Sequence, residues 1–183
     1  MRAMSIVAFV SAVFVVTPVI ADAQTKVLPA AAISAAEIQA LMGPRKPNTL
    51  PNIRVVDAGG HNVGVGVLYR AEGQTQNTAV HFKVSEVYHV MKGSGTLVTG
   101  GTVVNPKTRA ADSIEVTRED GPGVTGTAIQ GGVNHELKEG DVIVIPAGTP
   151  HWFSKINGSI VYLVIRIDPS PPPGRCNIRS WFC

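Results

Sequence analysis

Short β-prone segments separated by turn residues fill most of this 183-residue chain and constrain its fold more than any other feature. From Ile53 onward, Val, Ile, Thr and Tyr form short runs interrupted by Gly, Pro and Asn, and no run has the apolar period of a long helix. We predict strands at Ile53–Val56, Val63–Tyr69, Ala79–Val84, Glu86–Met91, Gly95–Val98, Ile114–Thr117, Gly126–Ile129, Val133–Leu137, Asp141–Ile145 and Ile160–Ile167. The polar stretch 99–113 is interpreted as an inserted loop. Many short strands without intervening helices predict an all-β sandwich or barrel.

The first 23 residues have the pattern of a secretory signal peptide. A positive charge at Arg2 precedes an uncharged apolar stretch, Ile6–Val16, and the segment ends in the small-x-small sequence Ala21-Asp22-Ala23. An N-terminal membrane anchor is the alternative, but the apolar stretch is shorter than the roughly 20 residues that a spanning helix needs. We therefore expect a secreted or periplasmic protein, with no membrane span after the signal is removed.

One short helix is expected between the signal peptide and the β-rich region. Ser34 and Glu37 have the spacing of a capping box, and Gly43-Pro44 is typical of a helix end. Residues 24–52 are therefore interpreted as this helix and its lead-in, and residues 53–168 as a single β-barrel domain.

The last segment, 169–183, is a proline-rich tail that contains the only two cysteines, Cys176 and Cys183. In an oxidising compartment a disulfide between them is expected, although two free or intermolecular thiols are the alternative. Their spacing does not match a metal-binding pair.

Charge excludes one class of partner. The formal net charge is only +3, and no cluster of Lys and Arg has the form that follows a phosphate backbone. We therefore expect a small-molecule ligand rather than nucleic acid.

The clearest motif of the chain runs from Gly140 to His151. A β-prone segment ends in Pro146-Ala147-Gly148, and His151 follows three residues after the glycine. A buried strand that leads into a Pro-Gly turn would therefore hold His151 at a fixed position.

A second spaced pattern precedes it. Gly73, Ala79, His81, Glu86 and Gly93 are separated by five, one, four and six residues. Side chains alternate along a strand, so Ala79 and His81 should share one face.

With both patterns in this order, the sequence resembles the cupin family, whose first motif is G, five residues, H-x-H, three or four residues, E, six residues, G. The second is G, five residues, P-x-G, two residues, H, three residues, N. Ala79 stands where the first histidine belongs, and Lys155 stands where the closing Asn belongs. A register with His81 and Lys83 as the histidine pair leaves only two residues before Glu86 and lacks the upstream Gly.

The resemblance covers roughly residues 63–168 and implies a jelly roll, or double-stranded β-helix, with one divalent metal inside the barrel. The ligands that it implies are His81, Glu86 and His151. Two imidazoles and a carboxylate suit Fe, Mn, Ni or Zn and leave open coordination positions.

Two further residues are candidates for catalysis. Lys83, expected on the face of His81, and Tyr88, expected on the face of Glu86, would be polar neighbours of the reacting molecule. Alternatively, Lys83 would pair with Glu86 and make the metal unnecessary.

Other polar residues are expected to be structural. His89 should point away from Glu86, His135 should pack in its strand, and His61 should lie in a turn. Arg70, close to Glu72, should form an ordinary ion pair rather than bind a substrate carboxylate.

Three functions remain open on the sequence. The first is a metal-dependent enzyme, with dioxygenase, decarboxylase and isomerase activities all known among cupins. The second is a metal-free small-molecule binding module, and the third is a non-catalytic interaction protein. Because cupins often pair through sheet edges, a homodimer is also considered.

Overall fold

The computed structural model describes residues 29–44, 52–74 and 76–169. The predicted signal peptide and the pair Cys176 and Cys183 lie outside these residues. None of the described helices is long and apolar enough to cross a membrane.

The N-terminal helix α1 spans Ala35–Gln39, and the predicted capping box is confirmed. The Ser34 hydroxyl accepts a hydrogen bond from the Glu37 amide, and the Glu37 carboxylate accepts one from the Ser34 amide at 2.8 Å. The helix is shorter than expected, because its C-cap is already Ala40.

The described part of the chain contains eleven strands, all paired antiparallel. They are β1 (Asn52–Asp57), β2 (Asn62–Ala71), β3 (Thr78–His81), β4 (Ser85–Thr99), β5 (Thr102–Val104), β6 (Lys107–Thr108), β7 (Gly123–Gly126), β8 (Ala128–Gln130), β9 (Val133–Lys138), β10 (Val142–Ile145) and β11 (His151–Asp168).

Two long strands organise the sheets. β11, of 18 residues, pairs with β2, β3 and β4, and β4, of 15 residues, also pairs with β9 and β10. The main ladder runs β1-β2-β11-β3-β7-β6 without closing on itself, and β5 and β8 form a separate two-stranded sheet. The predicted all-β jelly roll with a short helix is confirmed.

Strand alternation separates an inner face from an outer one. In β4, Glu86, Tyr88 and Val90 are buried, whereas His89 is exposed. The inward apolar side chains pack into one core cluster: Leu68, Tyr88, Val90, Leu97, Leu137, Ile145, Phe153, Ile156, Ile160, Tyr162 and Val164. The polar residues on this face therefore lie against a largely apolar wall.

The strand predicted at Ile114–Thr117 is wrong, because a π-helical turn spans Glu115–Glu119. The Ser113 carbonyl accepts from the Thr117 amide at 2.9 Å, and the Ser113 hydroxyl accepts from a second amide of the turn. These local hydrogen bonds take the place of the hydrogen bonds that a strand would form with a neighbouring strand. Asp120 lies at the C-terminal end of the turn.

Other segment boundaries also differ from the predictions, and the strand predicted at Ile160–Ile167 extends over His151–Asp168 as β11. The segments Glu86–Met91 and Gly95–Val98 belong to one strand, β4, and the predicted strand Gly126–Ile129 is divided between β7 and β8. The polar loop 99–113 contains β5 and β6. The strand predicted at Ala79–Val84 ends at His81, so alternation does not extend beyond it.

Gly93 allows the long strand β4 to continue past a close backbone contact. Its φ is +79°, and a Cβ at this position would clash with the Ser159 carbonyl oxygen in β11. Only glycine fits here, because both the conformation and the space exclude a side chain.

We predict that Gly93→Ala lowers the free energy of unfolding by about 3 kcal/mol, because backbone atoms must move. Gly140→Ala is the matched control, since Gly140 has φ +89° with open space around its Cβ position. That control should lose only about 1 kcal/mol, the conformational cost alone. Urea unfolding measures both values, and equal losses would contradict the contact with Ser159.

Candidate metal centre

Three buried side chains from three strand ends meet inside the barrel. His81 is the last residue of β3, Glu86 is the second of β4, and His151 is the first of β11. Their exposed fractions are 4%, 1% and 5%. One ligand atom from each lies within 4.8 Å of the others, so they form a group that could hold a metal ion.

The Pro-Gly turn before His151 fixes the two histidines relative to each other. The Gly148 amide donates a hydrogen bond to the His81 carbonyl oxygen at 2.7 Å, and the Ala147 amide donates to the Ser85 hydroxyl at 3.1 Å. Gly148 has φ +80°, which the turn requires. The second motif is thus bonded directly to the strand end that carries His81.

The orientation of the rings suits a cation. His151 Nδ1 lies 3.0 Å from the Thr149 carbonyl oxygen, which can only accept, so Nδ1 carries a proton and, in the neutral ring, Nε2 has a free lone pair. This Nε2 lies 3.2 Å from Glu86 Oε2, and His81 Nε2 lies 3.5 Å from the same oxygen. A lone pair facing a carboxylate repels it unless a proton or metal ion lies between, so the donor set fits a divalent metal.

Arg166 holds the other carboxylate oxygen of Glu86. The two residues lie opposite each other in the β4–β11 ladder, and Arg166 Nε donates to Glu86 Oε1 at 2.9 Å. Arg166 Nη1 donates to Asn52 Oδ1 at 2.9 Å. The guanidinium therefore fixes the carboxylate plane and leaves Oε2 directed at the histidines.

A second acidic group adjoins this pair. Asp120 Oδ1 lies 2.9 Å from Arg166 Nε, whose single N–H is directed at Glu86, and Asp120 Oδ2 accepts from Arg109 Nη1 at 2.8 Å. Oδ2 also lies 3.9 Å from His81 Nδ1. Burial raises the pKa of Asp120, but the positive charge of Arg166 and the contact with Arg109 outweigh it, so the net shift is downward.

The electrostatics keep Glu86 ionised. Burial alone would raise its pKa, but its contacts with His151 and His81 and the positive charge of Arg166 hold the pKa well below the ordinary value. Burial, followed by the negative charge of Glu86, raises the pKa of Tyr88 well above its usual range. The Tyr88 hydroxyl thus stays protonated and donates to Glu86 Oε2 at 2.8 Å.

The group opens into a cavity of about 610 Å³, which is a suitable size for a small organic ligand. Apolar and aromatic side chains form part of its wall, among them Leu68, Leu97 and Phe153. The described charged residues that line it are four basic and four acidic: Arg70, Lys107, Arg109, Arg166, Glu86, Glu115, Glu119 and Asp120. Their formal charges cancel.

The sequence matches the family model of the cupins over residues 61–172, more than half of the chain. This chain belongs to the cupin family. No curated protein matches it.

Solved structures similar to this cupin share little sequence with it. BH2720 from Bacillus halodurans is 19% identical, with a TM-score of 0.45 over 79% of this chain and 86% of that one. The cumin domain of Drosophila melanogaster CENP-C is 15% identical, with a TM-score of 0.38 over 71% and 93%. A recombinant oxalate oxidase in complex with glycolate is 20% identical, with a TM-score of 0.35 over 60% and 43%. The family assignment rests on the sequence match.

Of the two candidate catalytic residues in this cupin, the structure places only Tyr88 at the cavity. Lys83 is exposed and does not line the cavity, because β3 ends at His81 and the chain bends at Phe82 and Lys83. The alternative in which Lys83 pairs with Glu86 is wrong, because Lys83 is exposed and Arg166 supplies the positive charge instead.

The three histidines outside the metal-ligand group and Ala79 differ in their exposure and contacts. His89 is exposed, and the half-buried His135 lies 2.8 Å from the Thr99 hydroxyl. His61 lies half-buried in the bend before β2. Ala79, in the place of the first motif histidine, lines the cavity and lies opposite His151 in the ladder.

Sequence reasoning missed Arg166 and Asp120. The signal for Arg166 was a single cation at an inward position of an otherwise apolar strand, Ile160–Ile167. No local pattern marks Asp120, which reaches the site only through the π-helical turn.

We predict that Arg166→Met lowers the free energy of unfolding by about 3–5 kcal/mol at neutral pH, since Glu86 and Asp120 lose a buried countercharge. Arg118→Met is the matched control, because Arg118 is exposed. A carboxylate with a depressed pKa stabilises the fold above its unfolded-state pKa and loses that effect as the pH falls through the folded-state pKa.

The pKa of Glu86 should rise toward its unfolded-state value in Arg166→Met, so its ionisation contributes less stability and the variant should lose less stability than the wild type as the pH falls. Urea unfolding of chelator-treated protein, from neutral pH to about pH 4, measures this. Identical pH profiles for wild type and variant would refute the coupling.

Proposed function

We propose that this cupin binds one divalent metal ion through His81, Glu86 and His151 and is a metal-dependent enzyme for a small organic molecule. The observation that carries this proposal is the convergence of two imidazole Nε2 atoms on Glu86 Oε2, at 3.2 and 3.5 Å. A bound ion would supply a Lewis acid or a dioxygen site. The predicted signal peptide supports a secreted or periplasmic location for the reaction.

The surrounding side chains support this role. Arg166 holds Oε1 and leaves Oε2 to the ion, and the Thr149 carbonyl fixes the proton of His151 on Nδ1. Such outer contacts orient ligands and tune their basicity. Tyr88, protonated and buried at the cavity wall, donates its one proton to Glu86, and its hydroxyl oxygen can accept a hydrogen bond from a bound molecule.

The donor set limits which metal ions can bind, but it leaves several reactions open. Two nitrogens and one oxygen, with no thiolate in the group, suit Fe, Mn, Ni or Zn. Dioxygenation, decarboxylation and isomerisation each need the open coordination positions that three protein ligands leave. The reaction thus depends on the substrate that the cavity selects.

A metal-free binding module is the second candidate, and the pair of Glu86 and Arg166 favours it. Because Arg166 Nε lies 2.9 Å from Glu86 Oε1, the carboxylate already has a buried countercharge. A proton shared between Glu86 and His151 would then take the place of the ion. Metal content separates the two candidates directly.

We predict that protein purified without chelator holds close to one divalent ion per chain, and that His151→Ala holds almost none. Removing one of the three ligands should lower the metal affinity at least about tenfold. Even mutation of a residue that only hydrogen-bonds to a metal ligand lowers the affinity by about that much. Elemental analysis and a metal titration measure this. His89→Ala is the matched control, since His89 is exposed on the outer face of the same sheet.

The fold of His151→Ala should survive, as judged by circular dichroism and thermal unfolding. If the wild-type protein holds no metal, even after reconstitution with Fe, Mn, Ni and Zn salts, the metal proposal is wrong and the binding module is favoured.

We also predict that Ala79→His raises metal affinity, because position 79 lines the cavity one alternation from His81. A fourth ligand should strengthen binding by at least about tenfold. Phe82→His is the control, since Phe82 is next to His81 but 52% exposed. Competition with a chelating dye measures both, and a gain in the control alone would contradict the placement of Ala79.

A further inference from the structure

Arg70 contributes a guanidinium to the cavity wall without the ion pair that its sequence position suggested. Its Nε donates to the Tyr162 hydroxyl at 2.8 Å and its Nη1 to Gln76 Oε1 at 2.6 Å, and both acceptors are neutral. Within the described residues no carboxylate lies at ion-pair distance from it. By contrast, Arg109 pairs with Asp120 and Arg166 pairs with Glu86.

The guanidinium is held in place before any ligand arrives. Its Cζ lies 5.8 Å from the centre of the Phe153 ring and 5.9 Å from that of Tyr162. Tyr162 packs on Tyr88 with ring centres 4.4 Å apart, and Tyr88 donates to Glu86. This chain of contacts connects Arg70 to the metal-ligand group across one cavity wall.

The unused donors define the chemistry of the ligand. Arginine has five N–H groups in a planar fork, and the described acceptors take hydrogen bonds from only two nitrogens of Arg70. The free side of such a fork matches the two oxygens of a carboxylate. A partly buried cation without a countercharge is costly, and an anionic ligand would remove that cost.

We infer that Arg70 binds the carboxylate group of a small anionic ligand in this cavity, with the body of the ligand against Phe153 and Trp152. The fixed charges of the wall cancel, and a divalent ion would leave the cavity positive, which also favours an anion. The inference rests on the proposed function for the fate of the ligand: its carboxylate lies at Arg70 and its reacting end faces the group of His81, Glu86 and His151.

Isothermal titration calorimetry with acetate, benzoate and succinate, each paired with its neutral amide, tests this inference on metal-loaded and on chelator-treated protein. At least one carboxylate should bind at least about tenfold tighter than its amide, because the amide loses the charge-assisted hydrogen bonds. Arg70→Gln should abolish this preference, and Arg118→Gln, at an exposed arginine, should preserve it. Circular dichroism and thermal unfolding establish that the variants fold.

Arg70→Lys provides a second test that keeps the charge but loses the planar fork, and it should bind the carboxylate with intermediate affinity. If Arg70→Gln does not fold, Arg70→Lys and the amide comparison carry the test. Equal affinities for all carboxylates and amides would overturn the inference, as would unchanged carboxylate binding in both Arg70 variants.

The two proposals fail separately. Carboxylate binding that disappears on chelation but survives Arg70→Gln would overturn the role of Arg70 and leave the metal enzyme intact. Carboxylate binding that depends on Arg70 in a protein unable to hold metal would support the anion site and overturn the metal enzyme.

Discussion

The buried pair of Glu86 and Arg166 is the interaction on which the rest of the site depends. The two residues face each other across the longest ladder of the fold, between β4 and β11, and both are almost fully buried. A charge in that position requires a partner, since an isolated carboxylate in an apolar wall would be protonated instead. The pair keeps Glu86 ionised while occupying only one of its two oxygens.

The remaining oxygen explains why three strand ends meet at one point. Oε2 receives the Tyr88 hydroxyl and faces the Nε2 atoms of His81 and His151. The Gly148 amide, in the turn before β11, donates to the His81 carbonyl oxygen at the end of β3, which ties the two strand ends together. Arg166 thus supplies the charge balance and the turn supplies the geometry.

The parts of the site that are local in sequence could be predicted, and those that are not local could not. The resemblance to the cupin motifs implied His81, Glu86 and His151, which the structure brings together, and alternation correctly placed Tyr88 inward and His89 outward. Lys83 was misplaced because alternation was extended past the point where β3 ends. Spacing contains no information on a partner 80 residues away, so the pairing of Arg166 with Glu86 became visible only with the strand register.

The arginines of the cavity wall differ in whether an acidic side chain neutralises them, and this difference is relevant to function. A structural cation in a low-dielectric wall normally has an acidic neighbour, as Arg109 and Arg166 do. Arg70 instead rests on a phenol, an amide and two aromatic faces, which orient it without neutralising it. Because these neutral contacts leave the charge of Arg70 without a countercharge, its anionic partner must come from the cavity. The metal-ligand group faces the same cavity.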